Sequence, residues 1–222
     1  FPSITKFVVV FLLSEVGWPL TAITSLSKHS AIQRFKYKES RENYYISVNR
    51  LVPNKRVDLL IKAFNKLNLP LLIIGDGPER LKLQKMSNSN IKFLRKISDE
   101  EVEKYMSRCK AFVYAGIEDF GIAPVEAMAS GAPVIAYGKG GILDIVNCLN
   151  QQNKGKVSNG LLFKKQTSED IIDTISWFED KRLWNKFNPE ILNEYSQNFS
   201  VENFVSKFDF SVNKAWEIFK KK

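Results

Sequence analysis

Two glutamates, Glu118 and Glu126, stand eight residues apart in the stretch GIEDFGIAPVE, which also holds glycines and a proline. An ionised carboxylate only accepts hydrogen bonds, so carboxylates in such a place can hold the hydroxyl groups of a sugar or a ribose. The alternative is that Glu118 and Asp119 lie on a solvated loop and that Glu126 favours a helix start through its charge. Two glutamates eight residues apart are common by chance. The pair indicates a ligand site here because a strand is predicted before it and a helix is predicted to begin between the two glutamates.

Two cations, Arg50 and Lys55, lie in the loop that we expect after the apolar residues 44–48. An arginine offers a planar fork of donors and a lysine offers a compact charge, so together they can bind a diphosphate. The alternative interpretation is a solvated loop that binds nothing. The two side chains become candidates for phosphate binding if the fold brings them to a ligand site.

Glycines form two further clusters where the backbone can come close to a ligand. Gly75 and Gly77 belong to the sequence GDGP, which precedes a predicted helix, and Gly140 and Gly141 follow a predicted strand. Backbone amides at a helix start favour a bound phosphate, although a plain tight turn would also explain these glycines. The GDGP pattern is neither GxGxxG nor a P-loop, which disfavours a dehydrogenase and a P-loop nucleotidase.

The elements that must position these residues alternate in type along residues 44–178. The segment 57–67, VDLLIKAFNKL, has apolar residues at helical spacing, and the SDEE sequence at 98–101 fits a capping box. The strands that we expect are 44–48, 69–74, 91–94, 111–115, 133–136 and 161–163. The helices that we expect are 57–67, 79–86, 98–107, 124–129 and 168–178.

Several of these strands are apolar throughout, which is typical of a parallel sheet covered by helices on both faces. The sequence therefore predicts an α/β fold with a Rossmann-like parallel sheet. Such sheets bind ligands beyond the carboxyl ends of their strands, at the point where the strand order reverses. The candidate residues lie in or next to the loops that follow predicted strands, so we expect them at this edge of the sheet.

The composition narrows the classes of partner and of site. The chain has 222 residues and a formal net charge of +9, which suggests an anionic partner. Its basic residues are dispersed, and it lacks an RNP-type aromatic strand or a helix-turn-helix pattern, which disfavours nucleic-acid binding. Two cysteines and one histidine exclude a disulfide framework and most metal sites built on several Cys or His residues. The apolar run at 7–13 is too short to cross a membrane.

Several motifs occur together in one order: SVNRLVPNKRVDLLIKAF, IIGDGPE, EDFGIAPVEAMASGAPVIA, GKGG and NGLLF. They resemble the donor-binding, C-terminal half of retaining glycosyltransferases of family 4, which have the GT-B fold. The likeness is closest to bacterial mannosyltransferases of O-antigen and capsule assembly. It implies transfer of a hexose, with mannose from GDP-mannose favoured, to a glycan or a polyprenyl-linked acceptor. It also implies a cytoplasmic protein with peripheral contact at the inner membrane face, and a reaction that needs no divalent metal.

The resemblance implies a role for individual residues. Arg50 and Lys55 would bind the donor diphosphate and stabilise its departing charge, Glu118 would contact hydroxyls of the transferred sugar, and Glu126 would bind the ribose. The catalytic residues that we expect are Arg50, Lys55 and Glu118. The donor-binding residues that we expect are Gly75, Gly77, Asp119, Phe120, Gly121, Ile122, Glu126, Gly140 and Gly141. The sequence departs from the family pattern at Asp119, where a glycine is usual, and at Asp144, where a glutamate is usual.

The resemblance also divides the chain. We expect a nucleotide-sugar-binding domain at 44–180, preceded by a segment or linker at 1–43 that is a remnant of a missing acceptor domain. A helical tail is expected at 181–222, and aromatic residues are expected to form the buried face of its last helix: Phe199, Phe204, Phe208, Phe210, Trp216 and Phe219. Such a chain would bind nucleotide sugar weakly and transfer little alone. The alternative is a non-catalytic nucleotide-sugar-binding module that works with a separate acceptor-domain polypeptide.

Overall fold

The structure is a computed structural model that describes residues 32–95, 97–118, 121–149 and 157–220. The apolar run at 7–13 and residues Asp119 and Phe120 lie outside the described residues. Strands β1 to β6 are Tyr45–Val48, Leu71–Ile74, Ile91–Leu94, Ala111–Tyr114, Val134–Tyr137 and Gly160–Phe163. Helices α1 to α8 are Val57–Leu67, Arg80–Met86, Asp99–Met106, Ile122–Ala129, Ile142–Ile145, Ser168–Asp180, Pro189–Ser196 and Val201–Lys220.

The six strands form one sheet in the order β3-β2-β1-β4-β5-β6, and neighbouring strands pair in parallel. Tyr45 of β1 pairs with Leu71 of β2 on one side and with Ala111 of β4 on the other. Strands β1, β2 and β3 therefore form one half of the sheet, with β1 at the centre of the sheet. Strands β4, β5 and β6 form the other half, with β4 next to β1. This confirms the predicted parallel α/β sheet, and the structure places the reversal of strand order between β1 and β4.

Helices cover both faces of the sheet, as predicted. Consecutive strand residues point to opposite faces, so Tyr45 belongs to one buried cluster and Ile46 to the other. The first cluster includes residues of α1 and α6, which pack against each other. The second includes residues of α3, α4 and α5. The strands are apolar on both sides because each side faces a layer of helices.

Local sequence signals explain where the helices begin. Helix α1 has the predicted bounds, and its buried side includes Leu60, Ile61 and Phe64. Helix α3 begins with the predicted capping box, in which Ser98 and Glu101 exchange side-chain-to-backbone hydrogen bonds.

Both predicted borders of the domain fall inside the packed core. Ile32 and Phe35, from the expected N-terminal segment, are buried in the second cluster. Leu183 and Leu192, from the expected tail, are buried in the first cluster. Arg41 is fixed as well, because its guanidinium donates to the carbonyl oxygens of Cys109 at 3.1 Å and Ser130 at 2.9 Å. The polar sequence of 24–43 suggested a linker, but its described part packs against the body.

The prediction of a buried aromatic face on the last helix is wrong for three residues. Phe210, Trp216 and Phe219 are 69%, 53% and 57% exposed. Phe210 lies two residues after Phe208, and residues at this spacing face away from each other on a helix. Trp216 and Phe219 lie near the far end of α8, whose main described packing is against residues 197–199 at its beginning.

Among the described residues, no helix has both the length and the apolar composition that crossing a bilayer requires.

Candidate functional site

The loops that follow β1 and β4 meet at the point where the strand order reverses. Arg50 and Lys55 come after β1, and Glu118 comes after β4. A Cβ atom added to Gly116 would lie 3.1 Å from the carbonyl oxygen of Asn54 and 3.1 Å from the Cα of Lys55. The two loops are therefore in close contact, and a side chain at position 116 would push them apart.

Lys55, Glu118 and Tyr114 form a hydrogen-bonded group at this contact. The Lys55 ammonium and the Tyr114 hydroxyl both donate to Oε1 of Glu118. Tyr114 is 2% exposed, and burial together with this hydrogen bond raises the pKa of its hydroxyl above the usual value. The hydroxyl therefore stays protonated and fixes one oxygen of Glu118. Our sequence analysis did not include Tyr114 among the site residues. Its position at the end of β4, four residues before Glu118, could have indicated that it lies near that carboxylate.

Arg50 lies in the same loop as Lys55 and is exposed. Within the part of the chain that the structure describes, no hydrogen bond or ion pair involves its side chain. Lys55, in contrast, is half-buried and paired with Glu118. The two predicted phosphate-binding cations thus differ: one points to solvent, and the other is neutralised by a carboxylate.

Gly75 and Gly77 allow the loop after β2 to pack on the loop after β1. A Cβ atom on Gly75, whose φ is +143°, would lie 1.8 Å from the carbonyl oxygen of Asn49. A Cβ atom on Gly77 would lie 2.3 Å from the carbonyl oxygen of Leu51. These glycines therefore support the backbone on both sides of Arg50. This close approach explains them without a ligand, and their role in donor binding stays a prediction.

Gly140 and Gly141 pair with the backbone of Glu118. The amide of Gly141 donates to the Glu118 carbonyl oxygen at 2.7 Å, and a Cβ atom on Gly140, whose φ is +80°, would lie 2.6 Å from the same oxygen. The glycines thus hold the loop that carries Glu118. The Gly141 amide is thus already bonded to Glu118, and the role of Gly140 and Gly141 in donor binding stays a prediction.

Glu126 lies in the second turn of α4. Gly121, with a φ of +75°, caps this helix, and Ile122 is its first residue, so the helix starts two residues earlier than predicted. The alternative that Glu126 favours the helix start is therefore wrong. The Glu126 side chain is 13% exposed, and burial raises its pKa to about 7.

A cation near Glu126 comes from an unexpected segment. One terminal nitrogen of Arg34 lies 3.9 Å from Oε1 of Glu126 and favours the ionised carboxylate, whereas Asp99 and Glu103 oppose it. Our sequence reasoning missed Arg34, because the polar residues around it suggested a linker.

The described residues contain no group of three or more His, Cys, Asp or Glu side chains that could hold a metal ion. Cys109 and Cys148 are both buried and are not joined in a disulfide. Burial raises the pKa of the Cys109 thiol to about 12, so this cysteine stays protonated. The site can therefore accept hydrogen bonds from hydroxyl groups through the carboxylates of Glu118 and Glu126, and it can bind anions through Arg50 and Lys55.

Known proteins are similar to this chain in sequence and in fold. The chain is 32% identical over 186 residues to an uncharacterised glycosyltransferase of Methanocaldococcus jannaschii. This match covers 82% of this chain and 50% of that protein. It is 37% identical over 101 residues to a GDP-mannose-dependent alpha-mannosyltransferase of Corynebacterium glutamicum, over 45% of this chain and 24% of that one.

The fold resembles that of Anabaena HepE, solved in complex with UDP and glucose. The TM-score is 0.60 at 18% sequence identity, and the match covers 92% of this chain and 53% of that chain. The match thus spans about half the length of each of the M. jannaschii and Anabaena proteins. The sequence profile of a family described as "Glycosyl transferases group 1" matches residues 30–199. The chain therefore belongs to the group 1 glycosyl transferases.

Proposed function

We propose that this protein supplies the donor-binding half of a retaining glycosyltransferase. The enzyme moves a hexose from a nucleotide diphosphate sugar to a glycan or a polyprenyl-linked acceptor. The observation that carries the proposal is the contact between Lys55 and Glu118 where the strand order reverses, with the exposed Arg50 in the same loop. A cation and a hydroxyl-accepting carboxylate in contact suit the junction of diphosphate and sugar in such a donor.

Different residues of the site bind different parts of the donor. Arg50 and Lys55 bind the diphosphate and stabilise the charge that develops on it as the bond to the sugar breaks. Glu118 accepts hydrogen bonds from the sugar, and Tyr114 orients it through the hydroxyl that donates to Oε1. Glu126 accepts hydrogen bonds from the ribose. Backbone groups of the loops around Gly75, Gly77, Gly140 and Gly141, together with residues 119–122, complete the donor site.

GDP-mannose is the donor that we favour. The support comes from the C. glutamicum relative, which is named for its dependence on GDP-mannose and is 37% identical over its matched region. The Anabaena structure holds UDP, but its 18% identity supports the fold and not the base. Positive charge from Arg50 and Lys55 takes the part that a divalent cation plays in other phosphate sites, so the reaction needs no metal.

The site of action that we propose is the cytoplasm, next to the inner face of the membrane. A polyprenyl-linked acceptor would lie in that membrane, and the formal net charge of +9 favours contact with its anionic surface. We propose no nucleic-acid partner, because the basic residues are spread over the sequence and not gathered on one motif.

A second candidate is a non-catalytic nucleotide-sugar-binding module that works with a separate acceptor-domain polypeptide. The observation that favours it is that the Lys55 ammonium is already paired with the Glu118 carboxylate, which leaves less of its charge for a departing diphosphate. Mixing the protein with the acceptor half of a related mannosyltransferase separates the two candidates. Recovery of transfer that depends on Lys55 supports the catalytic proposal, whereas recovery that survives Lys55→Ala supports the module.

Binding calorimetry of GDP, UDP, ADP and their sugars tests the donor site directly. We expect selective binding of one nucleotide, which Arg50→Ala and Glu126→Ala both weaken. Arg108→Ala is the matched control, because Arg108 pairs with Glu42 at the surface and not with the site. Failure of all these nucleotides to bind, or equal weakening in the control variant, would contradict the proposal.

A further inference from the structure

Arg34 connects three carboxylates that come from two helices. Its guanidinium nitrogens lie 2.9 Å from Oδ2 of Asp99, 3.3 Å from Oε1 of Glu103 and 3.9 Å from Oε1 of Glu126. Asp99 and Glu103 belong to α3, and Glu126 belongs to α4. One cation thus links the helix that carries the proposed ribose-binding carboxylate to its neighbour.

The place of Arg34 is fixed from both sides along the chain. Ile32 and Phe35 are 2% and 3% exposed, so the backbone around Arg34 is anchored in the core. The guanidinium carbon also lies 4.7 Å from the centre of the Phe35 ring, within the range of a cation–π contact. These contacts hold an arginine side chain, which is otherwise flexible, in one direction.

Two carboxylates of α3 lie on the side of the helix that faces Arg34. Asp99 and Glu103 are four residues apart and therefore lie on one side of the helix, one turn apart. The capping box of Ser98 and Glu101 sets where this helix begins, and so where the two carboxylates stand. Asp99 accepts a hydrogen bond from one terminal nitrogen of the guanidinium, Glu103 forms an ion pair with Nε at 3.3 Å without a hydrogen bond, and the other terminal nitrogen faces Glu126.

Glu126 needs such a partner more than an exposed glutamate does. Its side chain is mostly withdrawn from water, which disfavours the charged form. Asp99 and Glu103 add negative charge nearby, and Arg34 is the positive charge that opposes them. An ionised carboxylate accepts stronger hydrogen bonds than a protonated one, so the charge on Glu126 bears directly on how well it can hold hydroxyl groups.

We propose that Arg34 is a positioning residue for nucleotide binding, which favours the ionised form of the Glu126 carboxylate and orients it for the ribose hydroxyls. The inference rests on the proposed function, in which Glu126 contacts the ribose. Arg34 itself need not touch the nucleotide. Lysine cannot replace it fully, because a single ammonium cannot reach three carboxylates with the spread of a guanidinium fork.

Ligands that lack the ribose hydroxyls test this inference. We would measure calorimetric affinities of the full chain for GDP and for 2′,3′-dideoxy-GDP, in the unchanged protein and in Arg34→Gln, Arg34→Lys, Glu126→Gln and the Arg34→Gln/Glu126→Gln double variant. If only UDP or only ADP binds to the unchanged protein, that nucleotide and its 2′,3′-dideoxy form replace the guanine pair. Arg108→Gln is the control, since its partner Glu42 lies apart from Glu126.

We expect Arg34→Gln to weaken GDP about tenfold, the size of one lost charge-assisted hydrogen bond, and to leave dideoxy-GDP nearly unchanged. Arg34→Lys should give an intermediate loss. Glu126→Gln should show the same selective loss, and the double variant should lose no more than Glu126→Gln alone, because Arg34 acts through Glu126. Retained binding of dideoxy-GDP also shows that the variants are folded.

The outcomes separate this inference from the proposed function. Equal weakening of GDP and dideoxy-GDP by Arg34→Gln would overturn the positioning role, while a selective loss in Glu126→Gln would keep the ribose role intact. No selective loss in either variant would overturn both the ribose role of Glu126 and the inference. Absence of GDP, UDP and ADP binding to the unchanged protein would overturn the proposed function and the inference with it.

Discussion

Lys55 and Glu118 are bonded to each other across the point where the strand order reverses, one from the loop after β1 and the other from the loop after β4. A diphosphate that binds Lys55 must compete with Glu118 for the ammonium group. Release of Glu118 then leaves a carboxylate ready to accept hydroxyl groups from the sugar. In our proposal the pair thus links phosphate binding to sugar binding.

Glu118→Gln should separate these two effects. The amide keeps the shape of the side chain but removes the charge that competes with phosphate for Lys55. We expect GDP to bind about 2 to 5 times more tightly, the size of a partly exposed ion pair, and GDP-mannose to lose its advantage over GDP. Calorimetry with both ligands measures this, with Glu217→Gln at the exposed end of α8 as the control. Weaker binding of GDP to Glu118→Gln would contradict the competition.

Donor binding should strengthen as the pH rises through about 7. Burial raises the pKa of Glu126 to about 7, and the groups that face it are Arg34, Asp99 and Glu103. If the ionised carboxylate binds the ribose, affinity for GDP-mannose should increase about tenfold from about pH 6 to about pH 8. GDP-mannose is the right probe, because its diphosphate has no terminal phosphate that titrates in this range.

Glu126→Gln should flatten this pH profile, and Arg34→Gln should move its midpoint upward. A profile that stays unchanged in Glu126→Gln would assign the titration to another group.

Glu126→Gln should also stabilise the protein at alkaline pH. The folded-state pKa of Glu126, about 7, lies above its usual value of 4.5. Its contribution to stability is therefore present below about pH 4.5 and is lost as the pH rises through about 7. We expect the variant to gain roughly 3 kcal/mol in free energy of unfolding at about pH 8 and little at about pH 4.5. Urea denaturation at both pH values measures the gain, and Glu42→Gln, exposed and paired with Arg108, should show none.

Gly75→Ala should destabilise the fold strongly. Its Cβ atom would lie 1.8 Å from the carbonyl oxygen of Asn49, at a φ of +143° that favours glycine. We expect a loss of about 3 kcal/mol or more in free energy of unfolding. Gly138→Ala is the matched control, because its nearest contacts would be an ordinary 3.4 Å, to the Cβ of Leu162 and the carbonyl oxygen of Phe163. Equal stability of the two variants in urea denaturation would show that the loop after β2 can move away.

Removal of divalent metal should leave donor binding unchanged. In our proposal Arg50 and Lys55 supply the positive charge at the diphosphate. Calorimetry of GDP-mannose before and after EDTA treatment tests this, with Lys55→Ala as the variant that should lose affinity. A loss after EDTA that Mg²⁺ or Mn²⁺ restores would place a metal at the diphosphate.

Much of the fold could be predicted from local patterns. The bounds of α1 followed from its helical spacing, and the start of α3 followed from the Ser98–Glu101 capping box. The sheet and its parallel pairing followed from uniformly apolar strands between helices. These features depend on interactions within a few residues, or on burial of both strand faces, which the sequence pattern records.

The rest depends on contacts between distant residues, which leave little local signal. Arg34 stands in a polar segment, and its role depends on helices that begin more than sixty residues later. Tyr114 looks like an ordinary strand aromatic until its hydroxyl is seen at Glu118. The exposed Trp216 and Phe219 fit a buried helix face in the sequence, but the described body does not cover them.

The strand order also has a consequence for how the chain folds during synthesis. β1 is central, so it is complete only when it pairs with β2 and with β4, and its contact between Tyr45 and Ala111 joins distant parts of the sequence. The nascent half β1–β2–β3 can form first, with one edge of β1 unpaired, and such edges promote aggregation. Non-local parallel pairing of this kind is slow to form. The yield of folded protein therefore depends on how quickly β4 reaches the open edge of β1.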